Sequence, residues 1–347
     1  MRHRASALLG TCLLLAASLA PSRSSSADAP QFHVVRRIPL AGEGFWDYVT
    51  VDRAARRLYV THGTHVQVVN LETDSLVGDI LDTPGVHGVA LAPDLCKGFT
   101  SNGRDSTVTV FDLKTFAILD RIHLAARFPD AIAYDSVSGR VFTMNGGSSS
   151  TSAINARTGK VAGTLGLSGR PEFAVADGKG TMFVNLEDKS ELVAVDTRKL
   201  SLLNRWPLAP GEEPTGLALD RVHRRLFSGC SNKKLIVLDA DSGRHVAELA
   251  IGDGVDGVAF DPERQLVFSS NGEGSLTVIH EDDAEHFSVV ETATTERGGR
   301  TIALDATTGT VYVPTADFGP PPPPTADRPH PRASILPGSF RVMVIKR

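Results

Sequence analysis

Cysteine is scarce in this chain, with three in 347 residues, at positions 12, 96 and 230. None has the close spacing of a zinc or iron–sulfur ligand set, which excludes the cysteine-based metal classes. Basic charge is thin as well: 36 Lys and Arg stand against 40 Asp and Glu, with no run that forms a cationic patch. That balance repels phosphate backbones, so a nucleic-acid partner is not expected. Long apolar runs are missing beyond the first twenty residues, so no membrane span is expected. Convincing helical periodicity is missing too. Gly-x-Gly pairs such as Gly42-Glu43-Gly44 have no helix behind them, which removes the dinucleotide fingerprint.

The start of the chain reads as an address. Arg2, His3 and Arg4 precede an apolar run from Ala7 to Ala20, and small residues follow up to Ser25-Ser26-Ala27. This is the layout of a cleavable export signal over residues 1–27. The mature part, 28–347, is then expected in the periplasm or outside the cell. Loss of Arg2, Arg4 and Arg23 leaves 33 basic against 40 acidic side chains, a net charge of about −7.

What the mature part has is repetition. Val49-Thr50-Val51-Asp52 with Arg57-Leu58-Tyr59-Val60 matches Leu217-Ala218-Leu219-Asp220 with Arg225-Leu226-Phe227-Ser228. Similar pairs recur at 258–269 and 302–313, with weaker copies at 89–100, 132–143 and 174–184. Each is a strand, a tight turn and a second strand carrying one fixed aromatic: Tyr59, Phe99, Phe142, Phe183, Phe227, Phe268 and Tyr312. Their spacings are 40, 43, 41, 44, 41 and 44 residues. A third strand such as Thr107–Asp112 alternates with the period of two expected of a half-buried strand. A turn follows, at Asp112, Asn70, Asn155, Asp196 or Asp239, with His280 departing from the pattern, and a fourth strand returns. Four strands in about 42 residues, seven times over, predict an all-β, seven-bladed β-propeller of four-stranded antiparallel blades. It also separates Cys96 and Cys230 into distant blades and onto opposite faces. That exceeds the roughly 7 Å between Cα atoms that a disulfide spans, so free thiols are expected.

The two ends of the repeat array settle how the ring closes. The seventh repeat has two strands at 301–314 and a third from Phe340 to Ile345, and lacks a fourth. The missing strand lies at 32–40, so the N-terminal strand is expected to pair with the C-terminal strand and cover both open edges.

With Leu58-Tyr59-Val60-Thr61 in the second strand of the first repeat, the mature chain resembles the YVTN-type β-propeller repeat proteins, the YncE-like group. The resemblance implies the propeller fold over essentially all of 28–347. It implies no single activity, because propellers serve as binders, lyases and lactonases.

In such a ring, loops entering the innermost strand share a face with those after the second strand. The residue five before each strand-one anchor should surround the channel mouth, which gives Asp47, His87, Asp130, Glu172, Thr215, Asp256 and Arg300. Four carboxylates, an imidazole and a guanidinium in seven equivalent places point to a polar or cationic ligand. The loops of the same face add His62, Asn102, Arg104, Asn145, Asn185, Glu187, Asn232 and Asn271 as candidate contacts. The plainer reading is that the amides form turns and the acids line a wet pore. Asp47, His87, Asp130, Glu172 and Asp256 make a candidate set for a divalent cation such as Ca²⁺. His87 with Glu172 is the candidate acid–base pair.

One insertion breaks the pattern, at 316–338 between the second and third strands of the last blade. Its proline run, Pro320 to Pro324, stiffens it. It serves either as a lid that carries Phe318, Arg328, His330 and Arg332 over the mouth, or as a brace across the seam. The functional expectation is an exported, monomeric propeller that binds a small molecule or a peptide at one channel mouth. The alternatives are a lyase or lactonase-like hydrolase at that mouth, and an envelope protein-interaction scaffold.

Overall fold

In a computed structural model of the protein, describing residues 31–42, 44–323 and 333–347, the strands form seven separate four-stranded sheets. The segment read as an export signal lies outside the described residues. Blade 1 runs through Trp46–Asp52, Arg57–His62, His65–Asn70 and Leu76–Ile80 in meander order. Blades 2 to 6 repeat this from Val86, Pro129, Pro171, Pro214 and Val255. Every adjacent pair is antiparallel.

Blade 7 takes Ala303–Asp305, Thr310–Thr315 and Arg341–Lys346, and His33–Pro39 is its fourth strand. Ile38 lies opposite Val342 and Val34 opposite Ile345. The Ile38 side chain is fully buried in a core shared by blades 7 and 1. The expected closure is the observed one.

Burial falls off outward in each blade. Thr107–Asp112, expected to be half-buried, is covered along nearly its whole length. Neighbouring blades press on both faces of the middle strands, so the period-two pattern there does not separate inside from outside. The fourth strand, Ile118–His123 in the same blade, is the largely exposed one.

The repeated residues build the frame. All seven fixed aromatics are at most 2% exposed, and they fill the layers between blades. The turn acids and amides cap backbone N–H groups. Asp112 Oδ1 accepts from Lys114 and Thr115, and Asn70 Oδ1 from Glu72 and Thr73. Asn155, Asp196 and Asp239 do the same. These are Asx turns, so the side chain chooses the reversal. Cys96 and Cys230 are both free thiols.

Candidate ligand site at the channel mouth

A bulge at the start of the inner strand sets the site. In blade 1 the pairing jumps from Trp46–His62 to Val49–Val60, so Asp47 and Tyr48 together face only Thr61. Blades 2 to 5 jump at the equivalent place, leaving His87–Gly88, Asp130–Ala131, Glu172–Phe173 and Thr215–Gly216 as the doubled residues. A bulge re-aims side chains and tightens the local twist. The second doubled residue is small where inner strands crowd. A Cβ on Gly216 would stand 2.7 Å from Val258 N. In blades 1 and 4 it is aromatic, and the Tyr48 and Phe173 rings meet edge-on with centroids 5.2 Å apart.

Around this plug the acids of the mouth gather. His87 Nδ1 lies 2.6 Å from Asp47 Oδ2 and 3.4 Å from Asp130 Oδ1. The Tyr48 hydroxyl donates to Glu172 Oε1 at 3.4 Å. Arg300 pairs with Asp256. Arg170 is shared, 3.0 Å from Glu187 Oε2 and 3.9 Å from Glu172 Oε2. Asp130 Oδ1 and Glu172 Oε2 are buried and have no hydrogen-bond partner.

The charges respond to this crowding. Burial, then the charge of Asp130, pushes Glu172 up to about 8. Burial and Asp47 raise Asp130 to about 7, against the opposing pull of His87. Burial alone would lower His87, but its hydrogen bond with Asp47 and the charges of Asp130, Asp47 and Glu172 outweigh that and raise it to about 9. Burial and the same acids hold the Tyr48 hydroxyl well above its usual value. The site therefore keeps protons that free side chains would release at neutral pH.

Asp47, His87 and Asp130 each offer one donor atom within 4.8 Å of the others. With an imidazole among the donors, this set suits a first-row transition ion better than Ca²⁺. Glu172 and Asp256 stand outside the set: the first faces Tyr48 and Arg170, the second Arg300.

Beside the ring lies a cavity of about 540 Å³ lined by Phe45, Trp46, Arg297, Arg300, Phe318 and the stem of the insertion. Trp46 Nε1 is buried without a partner. The stem is pinned down: Phe318 bridges to Ile335, Gly319 N donates to Ser334 O, and Arg341 holds Asp317 at 2.7 Å. Arg328, His330 and Arg332 lie outside the described residues.

The remaining candidates divide between frame and rim. Asn102 is buried, donates to Thr107 and Thr109 and accepts from Thr100. Asn145 repeats this with Ser150, Ser152 and Thr143, and Asn271 with Ser275, Thr277 and Ser269. Asn185 binds the backbone carbonyls of Thr215 and Gly216 and so ties blade 4 to blade 5. Their amides are committed to holding strands together. Asn232 braces its loop through Glu212 N and Pro210 O. Thr215 donates to Val255 O. His62 is buried against Phe340, 4.2 Å between ring centroids, and lines a second recess of about 390 Å³ below the stem. Arg104 is exposed on the rim.

The sequence reading missed Tyr48, Arg170, Trp46 and Arg297. Tyr48 directly follows a ring residue, and strict alternation would turn it away from the channel. Only the bulge brings both toward the mouth.

This ring of seven four-stranded blades with its plugged channel defines a seven-bladed β-propeller. In sequence the chain is similar to YncE. It is 26% identical over 261 residues to YncE of Salmonella typhimurium strain LT2, described as an uncharacterized protein, spanning 71% of this chain and 72% of the relative. The Salmonella typhi protein of the same description matches to the same extent. No family model matches the chain. Among solved structures, that of U3-55K superposes with a TM-score of 0.74 at 9% identity, over 89% of this chain and 97% of that one. The RRP9 WD40 repeats give the same score and identity over 90% and 97%. At such identity the likeness is one of fold.

Proposed function

We propose that the protein is an exported binding propeller that takes a small cationic ligand, or the amino end of a peptide, at the channel mouth. The basic start and apolar run of the first twenty residues support export. The observation that carries the binding reading is the uncompensated acid of the mouth. Asp256 pairs with Arg300, and Arg170 is divided between Glu187 and Glu172, which leaves Asp47, Asp130 and Glu172 against the imidazole of His87 and a share of one guanidinium. Two of these acids present buried oxygens that accept no hydrogen bond. A ligand ammonium would take the place of the protons they hold, with its apolar body in the neighbouring cavity against Trp46 and Phe318. Arg300 lines that cavity and also acts electrostatically on Asp130 and Tyr48, which links the two regions.

The test is a calorimetric and thermal-shift series with primary and quaternary ammonium compounds bearing aryl or alkyl tails, beside carboxylates of the same skeletons. Ammonium compounds should bind and raise the melting temperature, and Glu172→Gln or Asp130→Asn should weaken them at least tenfold. Equal binding by the carboxylates, or no binding by any ammonium, would refute the reading.

A second reading, proton-transfer catalysis, has one observation in its favour. An imidazole and two carboxylates raised to between about 7 and 9 stand around one opening. Turnover abolished by His87→Gln, with ammonium binding intact, would favour it.

A further inference from the structure

On the face opposite the mouth, we infer that Asp220, His223 and Glu281 form a binding site for a first-row divalent transition ion such as Zn²⁺, which clips blade 5 to blade 6. This is independent of the ligand proposed for the mouth.

Asp220 ends the inner strand of blade 5, and its carboxylate accepts from Val222 N at 2.8 Å and His223 N at 2.9 Å. That turn folds the His223 ring back, with Nδ1 2.8 Å from Asp220 Oδ2. Glu281 ends the third strand of blade 6 and brings Oε1 to 3.2 Å from the same nitrogen. The three donor atoms lie within 4.8 Å of one another. Ligands about 2.0–2.1 Å from a tetrahedral zinc lie roughly 3.4 Å apart, so a small outward movement would admit the ion.

Glu281 supplies the second, independent observation. Its backbone N–H donates to Gln265 O, just as Leu71 donates to Arg56, Leu113 to Cys96, Ala156 to Gly139, Thr197 to Gly180 and Ala240 to Arg224. At these equivalent positions blades 1 to 5 bury Leu, Ala or Thr. The frame therefore has no need of a carboxylate there. Yet Glu281 is fully buried, and its Oε2 has no hydrogen-bond partner. A buried carboxylate oxygen without a donor costs free energy that a cation would offset. The nearby guanidinium of Arg225 is already committed, at 2.7 Å to Asp239 and 2.9 Å to Glu285.

His223 is the open side of the cluster. Its side chain is 34% exposed, so an ion and its remaining waters have access. One imidazole with two carboxylates favours zinc or manganese over calcium or magnesium, which prefer all-oxygen sites.

The test titrates chelator-treated protein with Zn²⁺, Mn²⁺ and Ca²⁺ by calorimetry and thermal melting. Cys96→Ser and His87→Gln form the background, so that neither the exposed thiol nor the mouth imidazole contributes. One equivalent of Zn²⁺ should bind and raise the melting temperature. His223→Ala should abolish that binding, and the near-isosteric Glu281→Gln should weaken it at least tenfold. Zn²⁺ affinity unchanged by both substitutions, the absence of any Zn²⁺ binding, or Ca²⁺ binding as tight as Zn²⁺ would each overturn the assignment. His223 is partly exposed, so its alanine variant stays interpretable even if Glu281→Gln fails to fold.

Discussion

The Tyr48 hydroxyl of blade 1 reaches Glu172 Oε1 of blade 4 at 3.4 Å, although the two blades share no sheet edge. They meet through the channel, where the Tyr48 ring also packs on Phe173. The residue that closes the channel is therefore also the floor of the acidic mouth, and frame and site join at this ring.

Removing the plug should be costly, and removing its hydroxyl should not. Tyr48→Ala is expected to lose about 3–5 kcal/mol of stability, as for other large buried aromatics. Tyr48→Phe gives up one long hydrogen bond and should lose less than about 1 kcal/mol. Urea denaturation of both variants measures the difference, and equal losses would contradict the packing role.

Stability of the ligand-free protein should fall as pH rises from roughly 5 to 9. Glu172, Asp130 and His87 are raised to about 8, 7 and 9 in the folded state, so each keeps a proton that the unfolded chain has released. Their stabilising contribution is complete below the unfolded values, near 4 for the carboxyls and 6.5 for the imidazole, and is lost as pH climbs through the folded ones. Melting temperatures measured across this range should decline, with a shallower slope in Glu172→Gln. A melting temperature that rises with pH would reverse the sign and disprove the raised values.

The interblade aromatics should act on stability alone. Phe227→Ala is expected to cost about 3–5 kcal/mol, with the affinity of any ammonium ligand unchanged in the protein that still folds. Denaturation and calorimetry on one sample separate the two effects.

Loss of the closing strand should be worse than any point change. Without residues 31–40, Arg341–Lys346 keeps only Thr310–Thr315 as a partner and becomes an open edge, and the core around Ile38 opens at the seam. Aggregation, or a large drop in melting temperature, is expected by light scattering during a thermal ramp. An unaltered melting temperature would mean that the seam contributes nothing.

The fold was legible because its determinants are local or periodic. Asp112 and Asn70 select turns through their own side chains, and one aromatic every 40 to 44 residues marks the layers between blades. The membership of the acidic ring could be counted off from those same anchors. Tyr48 could not, because the inner-strand bulge breaks the alternation from which its direction would be inferred. Asn102, Asn145 and Asn271 look like mouth residues by position. The alternating hydroxyls of the next strand, Thr107 and Thr109 in blade 2, are the signal that their amides are satisfied inside. His223 and Glu281 are 58 residues apart in different blades, so no local pattern joins them.

Because His33 lies opposite Lys346 in one sheet, the described residues nearly form a circle with a nick in it. The nick has no privileged place in such a circle. Bridging it with a short linker and cutting instead at the exposed turn around Ser242 would leave every sheet with its four strands and the mouth intact. A permuted chain of this kind would also carry its two new ends on the face away from the mouth, where a reporter or surface tether could be attached without obstructing the opening.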